Sequence, residues 1–178
     1  KPLISLTDKT FALVGFGHIA KAAAKLAHAF GMQVIFYNHR PKKFTEPWLK
    51  QVSLDEVYAQ ADIISLHIPQ TAETLHLIDQ AAIAKMKDGV ILINTARGGL
   101  LDEQAVADGL NSGKIYALGA DVVSEEPIKA NNPLLKAKNA YLTPHIAWAP
   151  TAARQRGMNI GVNNLKAFLA GRPENVVD

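Results

Sequence analysis

The sequence contains no cysteine among its 178 residues. Neither a disulfide framework nor a thiolate that could serve as metal ligand or nucleophile is available, which is typical of a reducing compartment and makes the cytoplasm the expected location. The longest apolar runs fall far below the ~18 residues of a membrane span. Low-complexity segments and duplicated stretches are also missing. A length of 178 residues with ordinary hydrophobic and charged content suits one domain, so a single domain over residues 1–178 is expected.

Basic residues are scattered and form one local cluster, at Arg40, Lys42 and Lys43, while the formal net charge is only +3. A nucleic-acid-binding domain usually concentrates its basic residues on one face. The mild positive charge suits a small anionic cofactor better, so neither nucleic acid nor a membrane is expected as a partner. The opening at Lys1-Pro2, without an initiator methionine, suggests a piece of a longer protein.

A glycine turn stands between an apolar strand and an amphipathic helix. Residues 11–14 are apolar and lead into Gly15 and Gly17, and from Ile19 apolar residues recur at helical spacing. A second apolar strand at 33–37 completes a βαβ unit of about 30 residues, as a dinucleotide fingerprint requires. Gly15 permits the turn, and Gly17 keeps side chains away from the amides that would face a pyrophosphate.

The polar loop after the second strand lies where such folds distinguish cofactors. An acidic residue there would bind the ribose hydroxyls and repel a 2′-phosphate, but this loop has none. Asn38 can bond a hydroxyl, and Arg40 with Lys42 can pair with a phosphate, so the loop is predicted to tolerate or prefer the phosphorylated cofactor. An Arg40 that simply lies in solvent is the alternative interpretation.

Strands and helices continue to alternate along the rest of the chain. This alternation predicts an α/β fold with a doubly wound parallel sheet of the Rossmann type. The predicted strand at 90–94 is apolar at every position before Asn94, which predicts burial on both faces. Further strands are predicted at 63–68, 117–121 and 140–142, and helices at 53–60, 80–86, 102–111 and 150–170.

Three polar clusters follow predicted strands and contain Arg97, Glu126 and His145. Because the carboxyl ends of parallel strands meet at one crevice, we expect these side chains to converge there. A histidine can protonate a carbonyl oxygen, a carboxylate can stabilise the imidazolium, and a guanidinium can hold a substrate carboxylate. Taken singly, the three could instead be a surface arginine, a loop carboxylate and a structural histidine. The other histidines lack the spacing of metal ligands, so no metal site is expected.

These motifs together resemble the D-isomer-specific 2-hydroxyacid dehydrogenases over essentially the whole chain. The resemblance is carried by Gly15-Phe16-Gly17-His18-Ile19, Asn94-Thr95-Ala96-Arg97-Gly98, Asp121-Val122 through Glu126-Pro127, and Thr143-Pro144-His145-Ile146-Ala147-Trp148. It implies that His145 is the acid/base, Glu126 its partner and Arg97 the substrate anchor. Cofactor contacts are expected from Gly15, Gly17, His18, Ile19, Asn38, His39, Arg40, Pro69, Thr74, Thr95, Ala96, Arg97, Asp121 and His145.

The resemblance is greatest to the glycerate dehydrogenase or hydroxypyruvate reductase branch and implies NAD or NADP with a small 2-oxo acid. The family often has arginine at position 18 and aspartate at position 38, where this sequence has His18 and Asn38. In the family this domain is inserted into a smaller substrate domain that the sequence does not encode. We therefore expect the chain to bind cofactor, form a homodimer and turn over little substrate alone. A nucleotide-sensing scaffold similar to the family's transcriptional corepressors is the alternative.

Overall fold

The computed structural model describes residues 4–177, which form two compact units divided between Pro144 and His145. The first unit contains a seven-stranded parallel sheet with four α-helices, and the second contains one long helix. The strands are β1 Thr10–Val14, β2 Gln33–Tyr37, β3 Leu49–Gln51, β4 Ile63–Leu66, β5 Val90–Asn94, β6 Ile115–Ala120 and β7 Ala140–Leu142. The helices are α1 His18–Ala29, α2 Leu54–Gln60, α3 Gln80–Lys85, α4 Glu103–Ser112 and α5 Thr151–Leu169.

The strand order across the sheet is β3-β2-β1-β4-β5-β6-β7. Strand β1 is central to this order, because it pairs with β2 on one side and with β4 on the other. The winding direction therefore reverses between β1 and β4, and a doubly wound sheet binds its ligand at the carboxyl ends of the strands beside such a reversal. The predicted α/β doubly wound parallel sheet is confirmed.

Both faces of β1 are buried, which explains why its sequence is continuously apolar. Phe11 and Leu13 belong to one core cluster, and Ala12 and Val14 belong to the other. Side chains alternate between the two faces of a strand, so neither face of β1 meets solvent.

Helix α1 covers one face of the sheet through small side chains. Ala20, Ala24 and Ala27 are its buried residues. Small side chains let the helix backbone approach the sheet closely, and Ala20 takes the place where the fingerprint often has a third glycine. This close packing fixes the direction in which the first turn of α1 points.

Two features differ from the sequence expectations. Strand β3 was not expected, because three residues are too short to show a period, and it forms by pairing Leu49 with Val34. Strand β5 is not buried on both faces, since Ile91 and Ile93 are only half-buried. Within the first unit α1 packs on β1 and β2, so the helix on that side of the sheet does not cover the whole of β5.

The long helix α5 buries none of its residues. Its large apolar residues, among them Met158, Val162, Leu165 and Leu169, are exposed. The predicted end of the helix is confirmed, since α5 ends at Leu169 just before Gly171.

Candidate functional site

Gly15 and Gly17 are glycines for different structural reasons. Gly15 has a φ of +94°, and a Cβ there would lie 2.6 Å from the carbonyl oxygen of His67, so the position excludes any side chain. A Cβ on Gly17 would meet no heavy atom within 4 Å. Gly15 therefore serves the packing of β1 against the end of β4, whereas Gly17 leaves space open at the start of α1.

The first turn of α1 is suited to an anion. Gly17 is the N-cap, with no side chain capping the helix, and the turn has no acidic residue. The first amides of a helix have no partner within it and carry the positive end of its dipole. His18 and Ile19 are exposed there, so a diphosphate can reach these amides without displacing a side-chain cap.

A cavity of about 730 Å³ connects the glycine turn with the ends of β4 and β5. These are the carboxyl ends, where a doubly wound sheet is expected to bind its ligand. The cavity brings together several predicted site residues that are distant in sequence. They are Gly17, His18, Ile19, Pro69, Thr95, Ala96 and Arg97.

The turn that carries Arg97 is held by a fully buried amide. The Asn94 side chain accepts a hydrogen bond from the Ala96 amide at 3.0 Å and donates to the Arg97 carbonyl at 2.9 Å. The Arg97 guanidinium is exposed and donates through Nη1 to the Ala96 carbonyl at 2.7 Å. Because the guanidinium has further N–H groups, it can also hold a carboxylate in the cavity.

The segment after β5 packs directly on the segment after β6. A Cβ on Gly98 would lie 1.9 Å from the carbonyl carbon of Val123, so only glycine permits this contact. Glu126 accepts a hydrogen bond from the Val123 amide through Oε1 at 3.3 Å. The chain segments of Arg97 and Glu126 therefore lie against each other, and the roles of the two side chains stay predictions.

Asp121 is buried at the end of β6. Its carboxylate accepts a hydrogen bond from the Thr143 hydroxyl at 2.5 Å, and its amide donates to the Asn94 carbonyl at 2.9 Å. Asp121 thus joins the ends of β5, β6 and β7. Its predicted cofactor contact remains a prediction.

The Thr74 hydroxyl makes its hydrogen bonds within its own loop. Its hydroxyl donates to the Pro69 carbonyl at 2.8 Å and accepts from the Thr71 amide at 2.8 Å. These bonds close the loop that carries Pro69 into the cavity, so Thr74 shapes one wall. Direct contact of Thr74 with a cofactor stays a prediction.

His145 begins the second unit and has an unusual backbone conformation. Its φ is +54°, in the left-handed region that few residues other than glycine adopt. Its carbonyl accepts a hydrogen bond from the Trp148 indole at 2.8 Å. Such conformations cluster at functional sites. The grouping of His145 with Arg97 and Glu126 stays a prediction.

Asn38, His39 and Arg40 follow β2, and none of them lines the cavity of Gly17 and Arg97. His39 and Arg40 are exposed, while Asn38 is half-buried. The Asn38 side chain accepts a hydrogen bond from the Phe16 amide through Oδ1 and donates one to the Arg40 carbonyl through Nδ2. The predicted ribose segment is thereby tied to the glycine turn.

Sequence reasoning missed several residues of the cavity wall, namely Leu66, His67, Ile68 and Gln70. Among them, His67 lies directly after β4 beside the cavity. Burial lowers the pKa of His67, and its Nε2 lies 2.9 Å from the Ser65 hydroxyl. Its place just after a central strand was the signal that could have identified it.

Within residues 4–177, no group of three or more histidine, cysteine, aspartate or glutamate residues is arranged to hold a metal ion. Within the same range, no helix is both long and apolar enough to cross a membrane.

The parallel sheet, the glycine turn and the cavity at the strand ends define a dinucleotide-binding domain, and the open space at Gly17 fits a diphosphate. The family model described as "D-isomer specific 2-hydroxyacid dehydrogenase, NAD binding domain" matches residues 1–147. The chain belongs to this family, and its cofactor is a nicotinamide dinucleotide.

Relatives and solved structures agree with this assignment. A hydroxypyruvate reductase of Blautia hydrogenotrophica is 49% identical over 178 residues, which cover 99% of this chain and 55% of that protein. A glycerate dehydrogenase of Methylorubrum extorquens is 40% identical over 179 residues, covering 99% and 55%. The structure of an acyclic imino acid reductase in complex with NADPH and D-Arg has a TM-score of 0.88 at 36% identity, covering 98% and 55%. The chain thus spans about half the length of the curated relatives it matches.

Proposed function

We propose that the whole protein reduces a small 2-oxo acid to the D-2-hydroxy acid with NADH or NADPH, and catalyses the reverse reaction. The observation that carries this proposal is the shared cavity, which opens to both the amides behind Gly17 and the turn of Arg97. Relatives named hydroxypyruvate reductase and glyoxylate reductase make hydroxypyruvate and glyoxylate the leading substrates.

Each step of the reaction has a candidate side chain in this chain. When bound, the reduced nicotinamide supplies the hydride for the carbonyl carbon. Arg97 pairs with the substrate carboxylate and polarises the carbonyl. His145 gives its proton to the carbonyl oxygen, and Glu126 stabilises the imidazolium before that transfer. The products are the 2-hydroxy acid, the oxidised cofactor and a neutral imidazole.

The test is a panel of 2-oxo acids offered to the whole protein with NADH and with NADPH, followed by the loss of absorbance at the reduced nicotinamide band. Hydroxypyruvate or glyoxylate should be reduced fastest. His145→Gln should lower kcat by roughly a hundredfold or more, as loss of a general acid does. Arg97→Lys should raise KM, because a lysine cannot form the bidentate pair, and should also lower kcat, because it polarises the carbonyl less well. Arg172→Lys, beyond α5, is the matched control and should leave both constants unchanged.

Two results would contradict the proposal. One is that no 2-oxo acid of the panel oxidises the reduced cofactor. The other is that His145→Gln retains the wild-type kcat. A protein that binds the cofactor tightly but reduces no 2-oxo acid would instead act as the nucleotide-sensing scaffold, the alternative that the sequence left open. Retention of the wild-type kcat by His145→Gln would refute the role of His145 as the acid.

We also propose that the protein is a homodimer through an apolar face of the first unit. Leu26 and Phe30 of α1 are 64% and 63% exposed, and Ile4 on the N-terminal segment is 49% exposed. The segment is fixed beside the end of α1 by a hydrogen bond from the Asp8 amide to the Gly31 carbonyl, at 3.0 Å. Large exposed apolar side chains in one region are typical of an interface.

Sedimentation velocity of the chain tests the dimer. The wild type should sediment as a dimer and a variant with Leu26→Glu and Phe30→Glu as a monomer. Leu135→Glu, at another exposed leucine, is the control and should remain dimeric. A monomeric wild type, or a dimer that survives both changes, would contradict the assignment.

We place the protein in the cytoplasm. The support is the sequence without cysteine, which suits a reducing compartment. Cell fractionation followed by immunoblotting should recover the protein with cytoplasmic markers, and recovery with periplasmic or secreted markers would refute the location.

A further inference from the structure

The segment of residues 38–42, which follows β2, is held to the glycine turn by one side chain. Asn38 accepts a hydrogen bond from the Phe16 amide at its Oδ1, at 3.2 Å. Its Nδ2 donates to the carbonyl of Arg40 at 2.8 Å. An aspartate could make the first bond but not the second, because it has no N–H group. The amide of Asn38 thus fixes the backbone on which Arg40 stands.

A second amide, on β3, fixes the same segment from the other side. Gln51 donates from Nε2 to the carbonyls of Asn38 and Arg40, at 3.3 Å each. Its Oε1 accepts from the Lys42 amide at 2.9 Å. The backbone of Gln51 is fixed in turn, because it pairs with Phe36 of β2 in the sheet. One side chain therefore satisfies three backbone groups of a segment that has no regular secondary structure.

The charged side chains of this segment are left available by that arrangement. The Arg40 guanidinium and the Lys42 ammonium are exposed, and neither makes a hydrogen bond or ion pair with any residue between 4 and 177. Among positions 38–43 no side chain is acidic. Glu46 is the nearest carboxylate along the chain, and it already accepts a hydrogen bond from the Thr45 amide at 3.0 Å.

This position in a doubly wound sheet receives the adenosine ribose of a bound dinucleotide. A ribose with free hydroxyls gains little from two cations. A 2′-phosphate gains charge-assisted hydrogen bonds from the guanidinium and an ionic partner in the ammonium. The gain depends on the cations being held near the phosphate, since ordering two long side chains on a mobile loop costs entropy.

We propose that Asn38 and Gln51 are positioning residues that hold the 38–42 segment in the form that receives a 2′-phosphate, and so make the domain prefer NADPH to NADH. Arg40 is the residue that contacts the phosphate, with Lys42 as a second cation. The proposal rests on the cofactor binding of the proposed function but not on any substrate.

The test is a fluorescence titration of the 178-residue chain with NADPH and with NADH. The wild type should bind NADPH about tenfold more tightly or better, as one or two charge-assisted hydrogen bonds allow. Gln51→Met removes all three bonds and introduces no charge. It should weaken NADPH binding about fivefold to tenfold while the NADH constant stays within about twofold. Gln33→Met, an exposed glutamine at the opposite end of β2, is the matched control and should change neither constant.

Two further variants separate positioning from contact. Arg40→Ala should bring the dissociation constant for NADPH close to that for NADH, because it removes the side chain that contacts the 2′-phosphate. Asn38→Asp should weaken NADPH more than Gln51→Met does, since it removes the bond to the Arg40 carbonyl and also adds a negative charge. Thermal unfolding of each variant shows that the fold is retained.

Three results would overturn the proposal. The first is a wild type that binds NADH as tightly as NADPH. The second is a Gln51→Met variant whose affinities for NADPH and for NADH fall by the same factor, which would show a merely structural role. The third is an Arg40→Ala variant with unchanged preference. Failure to turn over 2-oxo acids would leave the binding ratio in place, so this inference and the proposed reaction fail separately.

Discussion

Replacing Asn94 by aspartate tests whether one buried amide holds the turn of Arg97. The change keeps the size of the side chain and the acceptor for the Ala96 amide. It removes the donor to the Arg97 carbonyl, now 2.9 Å away. Leaving a buried acceptor unsatisfied costs about 1–3 kcal/mol. Because the site is fully buried, it also disfavours the new charge.

The two costs have different pH dependences. Burial raises the pKa of a carboxyl, and each unit of that shift costs about 1.4 kcal/mol at pH 7. We therefore expect Asn94→Asp to lower the free energy of unfolding by roughly 3–5 kcal/mol at pH 7. Since the folded pKa is the higher one, this charge penalty disappears as the pH falls toward the unfolded value of about 3.9. There the protonated carboxyl can again donate to the Arg97 carbonyl.

Urea unfolding at pH 7 and pH 4 measures both effects. The loss of stability relative to wild type should shrink to about 1 kcal/mol at pH 4. Asn131→Asp, at an exposed position without a side-chain hydrogen bond in the described residues, is the control and should be neutral at both pH values. An Asn94→Asp variant within about 0.5 kcal/mol of wild type at pH 7 would refute the reasoning.

Two further predictions concern contacts around the cavity. Gly98→Ala should destabilise the fold by several kcal/mol in urea unfolding, because its Cβ would collide with the backbone at Val123. The control is Gly119→Ala, whose Cβ meets open space and which should cost about 1 kcal/mol or less. Burial lowers the pKa of His67, so its NMR titration midpoint should lie below the ordinary value. The unfolded state then binds the extra proton first, and the stability that neutral His67 provides should be lost as the pH falls below about 6.5. An unshifted midpoint, or a Gly98→Ala variant as stable as Gly119→Ala, would contradict these contacts.

The sequence predicted the sheet and its glycine turn because both depend on local patterns. Continuous apolar strands, the helical period after Gly17 and the spacing of the βαβ unit are visible without tertiary structure. Strand β3 was missed because three residues carry no period. The incomplete cover of Ile91 and Ile93 was missed because it depends on which helix packs on which strand, not on the strand itself.

The finer parts of the site depend on contacts between segments that are distant in sequence. Gln51 reaches Asn38 only because β3 lies beside β2. Gly98 meets Val123 only because β5 and β6 are neighbours. Residue types alone identified the cations and the glycines, but the structure was needed to show which backbone groups hold them.

The central claim is that the open space at Gly17 receives the diphosphate of a nicotinamide dinucleotide. Titration of the chain and of its Gly17→Ser variant with NADPH, followed by nicotinamide fluorescence, tests this claim most directly. Serine is a good N-cap and its Cβ meets no atom of the protein, so the variant should unfold at the wild-type temperature or slightly above it. We expect saturable binding by the wild type and an affinity at least tenfold lower for Gly17→Ser, because the serine side chain fills the space and bonds an amide that the diphosphate needs. Equal affinity of the two proteins, or no saturable binding by the wild type, would contradict it.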